Sequence, residues 1–145
     1  MITTSMPEAT ASASRPRRDR VGRVLLWIAA AGAAGAAVSA ISTVLGASGT
    51  TKVVETWRLY GFVVFAGLFV LLALRPLAYR GVWELAVFNK LALTATALAY
   101  AAHGGISGTG SIIAWDGGLS LVLIVAYVCC RGWTAWSAPD RGPRP

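Results

Sequence analysis

Four long apolar blocks dominate the chain, and each is about the length of a membrane-crossing helix. A bilayer core of about 30 Å takes roughly 20 apolar residues in helical form. The first block covers 24–45, and after Arg23 no charge appears until Lys52. The others cover about 56–77, 81–102 and 111–130. Only 13% of the 145 residues are charged, against about 25% in a soluble domain, and mean hydropathy is +0.62. That composition excludes a solvated globular enzyme, and it excludes a disordered chain, which needs low hydrophobicity. The expected fold is all-α: one integral membrane bundle of four transmembrane helices over 21–136. A disordered basic tail is expected at 1–20 and a short disordered tail at 137–145.

The net charge is +7. In a soluble protein such a surplus suggests nucleic acid. Here the basic residues flank apolar blocks, so they are read as topology signals, and no nucleic-acid partner is expected. Positive charge on short loops marks the cytoplasmic side. One set of block ends carries Arg15, Arg17, Arg18, Arg20, Arg23, Arg75, Arg80, Arg131, Arg141 and Arg144; the other carries Lys52 and Arg58. Both termini are therefore expected in the cytoplasm, with the chain threaded through the plasma membrane (N-in, C-in). The bilayer is the first expected partner, with anionic lipid gathered at the five N-terminal arginines. Tyr79, Trp83, Tyr127, Trp133 and Trp136 fall at the expected inner interface, and Trp57, Tyr60, Tyr100 and Trp115 at the outer one. Belts of this kind suit amphipathic rings. A cleaved signal peptide is the rival reading of the first block, but its apolar stretch exceeds the roughly 7–15 residues of a signal core. It is expected to stay as a span.

The first block is built from small residues. Ala31, Gly35 and Ser39 lie four apart, as do Gly32, Ala36 and Ala40. Such rows let membrane helices approach closely, so this span is expected at the centre of the bundle. Leu and Phe of the second and fourth spans are then expected to face lipid. The same rows offer a surface for a homo-oligomer or another membrane protein. The short connection after the second block predicts a tight antiparallel hairpin of spans two and three.

Lys90 is the most informative residue, because it lies near mid-membrane. A lysine there costs about 2.5–3.5 kcal/mol on insertion scales, so it should face the bundle and find a partner. Helical spacing puts Lys90 on a stripe with Trp83, Ala86, Thr94, Ala97 and Ala101. Asn89 heads a second polar stripe with Thr96, Tyr100 and His103. Asp116 is the candidate counter-charge, yet helix rise leaves a gap of about 10 Å between the two levels. Direct pairing and a separate outer-interface role for Asp116 both stay open. Glu84 lies near the inner surface, within reach of Arg80 one turn back. His103 stands alone, without metal-ligand spacing, and no metal or cofactor is expected. No nucleophile–base pair, P-loop or haem-attachment motif is present.

The size and four-span layout resemble small bacterial membrane proteins such as the DoxX-like and small multidrug-resistance types. The likeness is one of layout alone. The multidrug type carries a glutamate inside its first span, where this chain has no acidic residue, and no residue role carries over.

Three functions compete. The leading one is a non-enzymatic membrane protein acting through helix packing or partner binding. The second is a small transporter or proton-coupled carrier using Lys90, Asn89 and Asp116, with Glu84 as a late relay. The third is a membrane redox or lipid-modifying enzyme built on the adjacent Cys129 and Cys130.

Overall fold

The computed structural model describes residues 9–137, with side chains from Pro16 onward. Four helices follow one another: α1 (Ala9–Gly46), α2 (Lys52–Leu74), α3 (Val82–His103) and α4 (Thr109–Cys130). A short 3-10 helix, Gly132–Trp136, closes the described chain. All four long helices are apolar enough over 18 residues or more to cross a membrane.

The helix ends follow from local chemistry. α2 stops at Leu74, three residues before the expected limit, because the residue before a proline is driven out of the helical region. Arg75 accordingly sits at φ −138° and ψ 75°. α3 and α4 each start after a glycine in the left-handed conformation, Gly81 at φ +79° and Gly108 at φ +83°, where a side chain would be strained. α1 begins at Ala9, so residues 9–20 are helical where a disordered tail was expected. The apolar span supplies a formed nucleus, and Ala and Arg extend an existing helix at little cost; Pro16, inside the helix, works against the extension, because it has no N–H to give the ladder. The remaining parts of the two expected tails, 1–8 and 138–145, lie outside the described residues.

α1 packs along both α2 and α4, and α3 packs along α4, while α2 and α3 touch little. The expected tight hairpin of spans two and three therefore does not form. The bend at Pro76 and Gly81 carries the chain across the bundle end, and α2 finds its partner in α1.

The inward face of α1 is Leu26, Ala29, Ala30, Ala33, Ala37 and Ala40. The steps 26, 30, 33, 37 and 40 alternate between four and three residues, the spacing of a helix–helix seam. Phe69 and Leu72 of α2 and Leu123 of α4 join this alanine surface in a single core. These large side chains were expected to face outward; they are instead fully buried. The expected packing rows are displaced too. Ala31, Gly32, Gly35 and Ser39 are exposed, Ala36 is half-buried, and only Ala40 is buried. The reason is that α1 is small on nearly every face, so spacing alone selects none of them. The close approach lies lower, at Gly22, where an added Cβ would collide with Cys130 Sγ and stand 3.2 Å from the Ala126 carbonyl.

Most of the core lies in the half of the bundle nearest the chain termini, here termed the basic end. Toward the opposite end the buried apolar residues thin to Ala37, Ala40 and Ala97.

Gly22→Ala should destabilise the bundle. Overpacking costs about 1–3 kcal/mol, against a helix-propensity gain of about 1 kcal/mol. Gly67→Ala, with open space around it, should be neutral or stabilising. Thermal unfolding of both variants in detergent checks the contrast; equal effects would remove the close α1–α4 approach.

Candidate functional site

Residues 83, 86, 90, 94 and 97 fall on one side of α3, and this is the side turned into the bundle. Trp83, Ala86, Lys90 and Ala97 are buried and Thr94 is half-buried, while Ala101, nearer the far end, is exposed. Lys90 reaches across to α4, where its Nζ donates to Asp116 Oδ1 at 2.6 Å. The pair keeps little accessible surface, 6% for the lysine side chain and 16% for the aspartate. The ring of Phe65, on α2, lies 4.3 Å from Nζ. Its negative face adds a cation–π contact that strengthens away from water. Three helices thus meet on one ammonium group.

The helix levels show how the pair closes a gap that residue counting left open. Gly117 lies against Thr94, with a Cβ-to-methyl distance of 3.4 Å, so these two residues are level. Lys90 is four residues below Thr94, about 6 Å, and Asp116 is one residue above Gly117, about 1.5 Å. The resulting offset of about 7.5 Å is within the combined reach of both side chains and the hydrogen bond. Counting the lysine alone made the pair look too distant.

The neighbouring hydroxyls are committed elsewhere. Thr94 Oγ1 donates to the Lys90 carbonyl and Ser120 Oγ to the Asp116 carbonyl, each at 2.8 Å. Both are in-helix bonds, so the ammonium and carboxylate rely on one another. Asn89 does not join them. Its Oδ1 is buried without a hydrogen-bond partner among the described residues, a condition that costs about 1–3 kcal/mol. The rest of its stripe, Thr96, Tyr100 and His103, is exposed, and His103 Nδ1 lies 2.8 Å from the Ala99 carbonyl of its own helix.

Glu84 sits about two turns below Lys90, at the basic end, in a separate cluster. Its Oε1 accepts from Tyr127 Oη at 3.1 Å and from Trp136 Nε1 at 3.0 Å. Trp83, Tyr127 and Trp133 stack edge to face with centroids 5.6 and 5.8 Å apart. Trp83 Nε1 donates to the Pro76 carbonyl at 2.7 Å, and Arg80 Nε to the Ala135 carbonyl at 3.1 Å. Glu84 and its neighbours therefore fasten the 3-10 helix to α3. Residue type placed these aromatics at one interface; their assembly depends on the left-handed turn at Arg131, φ 54°, which no spacing rule announces.

Cys129 and Cys130 are free thiols, Cys130 being buried against α1. No group of three His, Cys, Asp or Glu gathers among the described residues. Compared with known proteins, the chain matches no family model, no curated protein and no solved structure.

Removing one member of a buried pair strands the other charge, at about 3–5 kcal/mol, whereas replacing both with apolar residues is often near neutral. Lys90→Met and Asp116→Asn should each destabilise strongly, and Lys90→Met with Asp116→Leu should recover most of the loss. Unfolding of the four proteins in micelles measures the coupling. Additive losses would show that the pair contributes nothing.

Proposed function

We propose that the chain is a four-span integral membrane protein of the plasma membrane, with both termini cytoplasmic, which acts through helix–helix association and not through catalysis. The observation that carries this reading is the outward face of α1. Ala31, Gly32, Gly35 and Ser39 are exposed, and a Cβ added at Gly32 or Gly35 would meet nothing within 4 Å. In lipid, helices associate by close backbone approach at small residues. A second span, from another copy or another membrane protein, fits this side of α1. Exposed Ile28, Leu85, Phe88, Leu121 and Val128 around the bundle support immersion in lipid. The closed Lys90–Asp116 pair supports a structural role for the central charges, since the ammonium has a direct partner and a covering ring.

The carrier reading has one specific observation in its favour. Asp116 keeps more exposure than Lys90, and the side-chain Oδ1 of Asn89, which has no hydrogen-bond partner among the described residues, lies one residue along α3.

Gly35→Leu should abolish the oligomer or partner complex seen by native mass spectrometry in mild detergent, with helical content unchanged. A monomer in both wild type and variant sinks the association reading. In liposomes, the wild type and Lys90→Met combined with Asp116→Leu should both leave ion flux at background; a robust wild-type flux that the double variant loses would favour the carrier. Accessibility labelling should find both termini on the cytoplasmic side.

A further inference from the structure

At the basic end, an open recess of about 310 Å³ lies where α1, the end of α2 and the end of α4 converge, and six of its eight lining residues are exposed. Its polar lining is Asp19 and Arg23 of α1 and Arg75 at the end of α2; its apolar lining includes Leu74, Pro76 and Leu77. We propose that this recess binds the headgroup of an anionic glycerophospholipid, with the phosphate held between Arg23 and Arg75 and the acyl chains laid along Leu74 and Leu77.

Three features of the recess favour a lipid headgroup. First, the two arginines come from different helices and share one recess, and among the described residues neither is in an ion pair. A guanidinium offers a planar fork of donors matched to phosphate oxygens. Second, Leu74 and Leu77 are 55% and 45% exposed beside those charges. Apolar side chains directly next to cations reproduce the order of a lipid, in which phosphate joins acyl chain. A free phosphate ion has no use for the leucines. Third, Asp19 gives the site an acceptor as well as two cations. It suits a headgroup carrying hydroxyl donors, such as glycerol, and disfavours a headgroup with none. Basic recesses between helices at this level are general sites for lipid headgroups.

The inference rests on the membrane-spanning reading, and the two fail differently. If the chain does not span, alkaline carbonate will strip it from membranes whatever their lipid. If only the lipid site fails, the protein stays in the membrane without lipid preference.

The test is native mass spectrometry of the full chain, delipidated in detergent and titrated with phosphatidylglycerol or phosphatidylcholine. Phosphatidylglycerol should be retained in preference to phosphatidylcholine, and millimolar inorganic phosphate should not displace it. Arg23→Ala with Arg75→Ala should lower retention by about tenfold or more. Ala78→Trp, which fills the recess from an exposed position and leaves both arginines in place, should also lower it if the circular dichroism is unchanged. Arg58→Ala, at the opposite end, should have no effect. Equal retention of the two lipids by the wild type, or unchanged retention in Ala78→Trp, overturns the proposal. Displacement by inorganic phosphate overturns the assignment to lipid and points to a free anion.

Discussion

Alanine at positions 29, 30, 33, 37 and 40 of α1 lets two other helices press against one surface, and the remaining packing follows from that approach. Close packing between helices needs small side chains on one partner and large ones on the other, so that ridges enter grooves without voids. Here α1 supplies the small surface, while Phe69, Leu72 and Leu123 supply the volume. α2 and α4 are held on either side of α1, and α3 is carried by α4. Apart from the cation–π contact at Lys90, α3 is tied to the α1–α2 pair largely through α4.

That arrangement explains where the central charges sit. Lys90 is at the upper edge of the well-packed half, between α4, which provides Asp116, and α2, which provides Phe65. An ammonium group in an apolar layer is tolerated when paired and covered. The pair also limits the register of α3 against α4, because a one-turn slide that widens the level offset between Lys90 and Asp116 would add about 5 Å and carry the two side chains out of reach. A buried pair of this sort contributes specificity more readily than net stability.

The basic end is organised differently. Glu84 accepts two hydrogen bonds from aromatic side chains, and the 3-10 helix folds back over the start of α3. Tyr and Trp suit this level, with apolar ring bodies and polar tips. The cluster holds α3 and the end of α4 together, while the recess beside it lies between α1 and the end of α2. One end of the molecule thus combines a rigid aromatic fastening with an open cationic recess.

Helix number, helix type and the inward turn of Lys90 were legible in the residues alone. An apolar run of about 20 residues has few alternatives to a helix, and a lone lysine on a stripe of small residues has one sensible direction to face. The expected bounds of α3 and α4 lie within two residues of the observed ones, because the apolar runs themselves delimit them. The choice of face on α1, the neighbour of α2, the Asp116 bond and the two bonds to Glu84 came only with tertiary structure. A helix small on every side carries no periodic signal, so its inward face is selected by the partners that fit it. A salt bridge between helices depends on their relative height and on the reach of both side chains, and neither quantity is written in the spacing of residues along one chain.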